Sequence, residues 1–129
     1  MAGHSGGAVL TADLLGRHPR LLDAAVLAAC PCDVARFRAH MKHLVGGAIW
    51  DAPVQSVSPE QVVGQVPTAT PVTLLVGSAD SVALPALSRA YYQQLRARGV
   101  PATLVELPGL DHEIFLSAAV RREISRLLR

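Results

Sequence analysis

Three short apolar runs, at 24–29, 72–76 and 102–107, are separated by stretches in which apolar residues recur at helical intervals. This alternation limits the fold more than any other feature of the chain. Runs of five or six residues are strand-length and too short for buried helices. Strands that alternate with helices are joined by right-handed crossovers and lie parallel in one sheet. Parallel strands are covered on both faces, so they read as continuous apolar runs without polar alternation. With 129 residues, half of them hydrophobic, the chain can close one core, and a single α/β domain over 1–129 is expected.

The helices between the runs carry their own signals. Residues 6–17 begin at paired glycines, carry Val9, Leu10, Leu14 and Leu15, and stop at Gly16 and Pro19. Asp33 is placed to cap a helix over 34–45, with Val34, Phe37, Met41 and Leu44 inward and Arg36, Arg38, His40, Lys42 and His43 outward. Ser58-Pro59-Glu60-Gln61 reads as a cap, a first-turn proline and a capping-box glutamine. A helix over 85–98 is closed by Gly99 and Pro101. The last helix, over 113–128, is expected to bury Leu116, Val120, Ile124, Leu127 and Leu128, leaving Arg121, Arg122, Arg126 and Arg129 in water. Residues 31–57 read as a lid-like or insert segment, in which Trp50 is core or pocket wall.

Composition narrows the function classes. Charged residues make up 17% of the chain and the net charge is +2, too small a surplus to argue for nucleic acid. No run of eighteen apolar residues argues for a membrane, and no secretory leader is read, so a cytoplasmic location is the default expectation. Cys30 and Cys32 lie two apart. A bridge over so short a loop is expected to be strained, and the pair forms neither a metal-ligand set nor a CxxC motif. Both are therefore read as reduced structural thiols, and no metal or organic cofactor is expected.

Gly3-His4-Ser5-Gly6-Gly7 fits G-x-S-x-G, a sharp strand-to-helix turn that lifts a serine hydroxyl clear of the backbone. A serine hydroxyl is a weak nucleophile at neutral pH. It needs a base to take its proton and a third group to hold that base. Asp80 follows the second apolar run, and His112 lies in the loop after the third. In a parallel sheet both come to the carboxyl edge of the strands, where open α/β sheets place their ligands. Ser5 is read as nucleophile, His112 as base and Asp80 as the orienting acid, with His4 as a substrate-binding wall. Plainer readings stand beside these: Ser5 as a helix cap, Asp80 as a turn residue, His112 as a plain loop histidine. Asp111 is the rival acid, although the immediate neighbour of His112 is better placed to shape the loop. His18, His40 and His43 read as solvated.

The sequence resembles the α/β-hydrolase family in the Gly3-His4-Ser5-Gly6-Gly7 elbow, in Leu75-Val76-Gly77-Ser78-Ala79-Asp80 and in Gly109-Leu110-Asp111-His112-Glu113-Ile114-Phe115. Ser58-Pro59 is similar to esterase-like and prolyl-oligopeptidase-like members. The resemblance covers nearly all of 3–128 and matches the C-terminal half of that fold, from the nucleophile elbow onward. It implies a serine hydrolase working by acyl transfer on a small-molecule ester or a peptide, with ester hydrolysis first and prolyl-oligopeptidase-like cleavage as the nearest variant. In the family the elbow follows a central strand, a loop from the earlier half supplies one oxyanion donor, and the residue after the serine supplies the other, a role the resemblance gives to the Gly6 N–H. With only Met1 and Ala2 ahead of the motif, the elbow strand is expected to be absent. The sheet then has about three strands, and 24–29 is left as an exposed edge. That edge would pair with a missing N-terminal half or with a second copy of the chain. A non-catalytic interaction or oligomerisation module is the competing reading.

Overall fold

The computed structural model describes residues 1–51 and 57–129. Four parallel strands lie side by side in chain order: β1 (Ala2–His4), β2 (Ala25–Ala28), β3 (Val72–Gly77) and β4 (Ala102–Leu107). They alternate with α1 (Gly6–Arg17), α2 (Val34–Val45), the single-turn α3 (Pro59–Val62), α4 (Pro85–Ala97) and α5 (Ala118–Leu127). Among the described residues no helix is long and apolar enough to cross a membrane.

The strand that differs from the sequence reading is β1. It pairs Ala2 with Val26, Gly3 with Leu27 and His4 with Ala28. The Met1 ammonium adds a bond to the Ala24 carbonyl at 2.8 Å. Three residues carry no usable periodicity, so this strand is defined by its backbone pairing alone. It also corrects the expected edge: β2 pairs on both sides, with β1 and with β3, and all four of its residues are buried.

Neighbouring strand residues feed opposite layers, as the pleat requires. Leu27 and Leu74 pack with Ala8, Ala12 and Leu15 of α1 and Tyr91 and Leu95 of α4. Val26, Ala28 and Leu75 pack with Ile114 and with Val120 of α5. The Ser58 cap sits between α2 and α3: its N–H donates to Gln61 Oε1 at 3.1 Å, and its Oγ accepts from Val34 N at 2.9 Å.

Three further expectations are corrected. Cys30 and Cys32 form a disulfide, not two thiols. Ala29, at φ 49°, turns the chain as it leaves β2, and the two Cα atoms stand 5.1 Å apart, inside the range a bridge requires. The last helix begins at Ala118, where the Ser117 side chain caps it by accepting from Val120 N. Leu116 and Leu128 therefore lie outside it and are exposed, and Val120 alone of its residues is buried. Finally, α2 forms over the expected residues but buries none of them; Val34, Phe37 and Met41 are half-buried and Leu44 is exposed. Residues 52–56 of the 31–57 segment lie outside the described residues. Trp50 meets Phe37 edge-on at 6.1 Å and lines, with Val34, Arg38 and Lys42, an open cavity of about 490 Å³.

Candidate active site

Ser5 is at once the end of a sheet ladder and the start of a helix. Its N–H donates to Ala28 O at 2.9 Å, continuing the β1–β2 pairing, while its carbonyl accepts from Ala8 N and Val9 N. Meeting both demands forces φ 53°, ψ −117°, a strained conformation for a residue with a side chain. Gly3 makes the turn possible: a Cβ there would stand 2.2 Å from Gly7 O. No such crowding surrounds Gly6 or Gly7. Gly6 is the first residue of α1, and N–H groups in a first helical turn have no acceptor within the helix.

Asp80 follows β3, and its side chain is fully buried. Its Oδ1 accepts from Val82 N at 2.9 Å and from Ala83 N at 2.8 Å, so the carboxylate cannot rotate freely. Its Oδ2 lies 3.0 Å from His112 Nδ1, and His112 Nε2 lies 3.0 Å from Ser5 Oγ. With the carboxylate accepting at Nδ1, the ring carries its proton there, and the Nε2 lone pair faces the Ser5 hydroxyl.

The loop that carries His112 is seated on the end of β3. Ala79 N donates to Leu110 O at 2.9 Å, and Gly109 N donates to Ser78 Oγ at 2.8 Å. The backbones approach so closely that a Cβ on Gly77 would stand 2.2 Å from Leu110 O and 2.4 Å from Asp111 O. Asp111 shapes the loop, its Oδ1 accepting from Glu113 N at 3.1 Å.

The structure thus brings Ser5, Asp80 and His112 together, with Gly6 and His4 flanking the serine. Two contacts escaped the sequence reading. His4 Nε2 donates to the His112 carbonyl at 2.7 Å, and its ring lies 4.9 Å from that of His112 and 5.8 Å from Phe115. His40, read as solvated, donates to Ser81 O at 2.7 Å and ties α2 to the acid loop. Neither has a sequence signature, because each is a side-chain bond to a distant backbone carbonyl. A glycine immediately after an apolar run was the available signal for the close approach at Gly77.

The groups most displaced from their ordinary protonation lie outside the triad, at Asp13 on α1 and Tyr91 on α4. Burial raises the Asp13 carboxyl to about 6; the charge of Glu60 adds to this and Arg17 opposes it. Burial also pushes the Tyr91 hydroxyl above its usual range, with Asp13 adding to the effect. Asp13 Oδ1 and the Tyr91 hydroxyl are buried without a hydrogen-bond partner among the described residues. The same residues contain no group of three His, Cys, Asp or Glu side chains that could hold a metal ion.

A profile of the prolyl oligopeptidase family matches residues 1–129. No curated protein sequence matches the chain. Among solved structures, an acylaminoacyl peptidase in complex with Z-Gly-Gly-Phe-chloromethyl ketone has a TM-score of 0.75 at 19% identity, over 97% of this chain and 21% of that one. An esterase of Pyrococcus furiosus has a TM-score of 0.74 at 14% identity, over 98% of this chain and 50% of that one. Est1E from Butyrivibrio proteoclasticus has a TM-score of 0.74 at 18% identity, over 99% and 59%. These likenesses establish the shared fold. The chain spans between about a fifth and three-fifths of the length of these solved chains.

Proposed function

The chain belongs to the prolyl oligopeptidase family, and on that premise we propose that it is a serine hydrolase acting by acyl transfer, with carboxylic esters as its first substrates. The observation that carries the reading is the pair of 3.0 Å contacts joining Ser5 Oγ to His112 and His112 to Asp80.

In this mechanism His112 Nε2 takes the Ser5 proton as Oγ attacks the carbonyl carbon. Negative charge collects on the carbonyl oxygen, and the Gly6 N–H, at the positive end of α1, stabilises it. Asp80 keeps the ring oriented and stabilises the imidazolium. His112 then returns the proton to the departing alkoxide, leaving Ser5 acylated. Water attacks the acyl-enzyme along the same route: His112 takes a water proton, the acid departs, and the proton returns to Ser5 Oγ. An alkoxide leaves with less assistance than an amine, so esters are the less demanding substrates for such a site. The family match favours a second reading, cleavage of peptide bonds.

Labelling with a fluorophosphonate probe tests the proposal, because such probes report an activated serine without the natural substrate. The full chain should label, and Ser5→Ala should abolish labelling. Labelling unchanged in Ser5→Ala, or absent from folded wild type, sinks it. Turnover of short p-nitrophenyl esters against peptide p-nitroanilides separates the two substrate classes.

A further inference from the structure

We propose that His4 is a positioning residue that locks the histidine loop to the nucleophile turn; this rests on the reading of Ser5 and His112 as nucleophile and base. Ser5 and His112 lie 107 residues apart, on different elements, yet must hold a 3.0 Å contact. The ties that seat the histidine loop, Ala79 N to Leu110 O and Gly109 N to Ser78 Oγ, all run to the end of β3. They fix His112 relative to Asp80. To Ser5 they connect it only indirectly, from β3 across β2 to β1.

His4 supplies a direct connection. It is the last residue of β1 and precedes Ser5 directly, so its backbone moves with the turn. A carbonyl has no proton to give, so His4 must donate from Nε2 to His112 O, at 2.7 Å. The same carbonyl accepts from Ile114 N at 3.0 Å, which closes the loop on the far side of His112. Packing of the His4 ring against His112 and Phe115 holds the donor in place. His4 thus bridges the nucleophile's strand to the base's backbone, as Asp80 bridges the acid's strand to the base's ring. The assignment differs from a substrate-wall role, in which the ring nitrogens would serve the ligand.

Three substitutions test this with the same probe, read as maximal labelling rate and half-saturating probe concentration. His4→Gln places an amide N–H near the position of the imidazole Nε2. His4→Phe keeps a ring against Phe115 without a donor, and His4→Met gives a second donor-free variant of different shape. A displacement of the base by about 1 Å costs on the order of a hundredfold in rate. Phe and Met should therefore lose about ten- to a hundredfold in maximal rate, with half-saturation moved less than about twofold. Gln should recover most of that loss. Wild-type rates in a folded Phe or Met variant overturn the inference. So does equal impairment in all three, which indicates shape alone, or a loss confined to half-saturation, which indicates contact with the ligand. If wild type itself fails to label, or labels without Ser5, the nucleophile reading has failed and the inference falls with it.

Discussion

Residues 77–80 and 107–114 meet backbone to backbone, whereas α2 reaches the rest of the molecule mainly through side-chain tips. In the first region a Cβ on Gly77 has no room, the Asp80 carboxylate is held by two N–H groups, and the loop bonds to β3 through Leu107 and Leu110 carbonyls. In the second, no residue is buried. Its ties include Val34 N to Ser58 Oγ, His40 to Ser81 O, Arg38 to the Ile49 and Trp50 carbonyls, and the exposed Lys42–Asp51 pair. Both regions lie at the carboxyl edge of one sheet. The difference teaches where shape is fixed. Asp80 and the His112 loop are set by close backbone contacts, and the segment beside them is held by fewer and more exposed ones.

The hardest blow to that contrast is Gly77→Ala. The new methyl must push Leu110 and Asp111 away, and both directly precede His112. We expect labelling to slow by about a hundredfold or more, because the base moves relative to both its partners. Overpacking should cost about 1–3 kcal/mol in urea unfolding. A variant that labels at the wild-type rate would show that the loop tolerates displacement, and the claim of backbone precision would go.

This division also explains what could be read in advance. The strand at 72–76 announces itself as a strand-length apolar run and is buried throughout, whereas 102–107 forms an edge strand on which Ala102 alone is buried; α1, α2 and α4 announce themselves by caps, glycines and apolar spacing. Once parallel order is inferred, Ser5, Asp80 and His112 must come to one edge, and the structure joins them there. What escaped reading depends on partners remote in sequence. β1 is too short to have a pattern and exists through β2. The Cys30–Cys32 bridge depends on the turn at Ala29, which no local residue demands. Leu116 keeps helical phase with Val120 and Ile124, but the chain is still in a turn there, with Ser117 N bonded to Ile114 O. Periodicity finds an apolar stripe on α2 without saying what covers it, and most of it is only half-covered. The bond from His4 joins residues 108 apart and has no pattern at all.

A smaller effect asks whether the site depends on a buried charge further along α1. Asp13 lies on α1, the helix that Ser5 begins, and its carboxyl is raised from 3.8 to about 6, chiefly by burial. The native state therefore holds this proton more tightly than the unfolded chain does. Stability falls as pH rises from about 4 to about 6, and the penalty is complete above that window. A shift of this size corresponds to about 3 kcal/mol, and partial exposure of Asp13 reduces it to about 1 kcal/mol. Asp13→Asn should thus unfold at higher urea than wild type at pH 7.5 and at the same urea at pH 4, while labelling stays at the wild-type rate. An equal difference at both pH values would remove proton linkage as the cause, and a change in labelling would show that the local frame is not self-sufficient.

The mildest test is on α2. Leu44 and Val45 are 48% and 62% exposed, so serine at both positions returns little apolar surface to water. The helix keeps its end in either case, because Gly46, at φ 68°, closes it by donating to Lys42 O at 2.9 Å. The double variant should change unfolding free energy by less than about 0.5 kcal/mol, within the range of ordinary surface substitutions. Half-buried Phe37, changed to alanine, should cost more than both together, since it loses its edge contact with Trp50. A cost above about 1.5 kcal/mol for Leu44→Ser with Val45→Ser would mean that the last turn of α2 is covered in solution. Repeating the unfolding at tenfold different protein concentration would then decide the matter. A midpoint that moves with concentration assigns the cover to a second copy, and one that stays fixed assigns it to this chain.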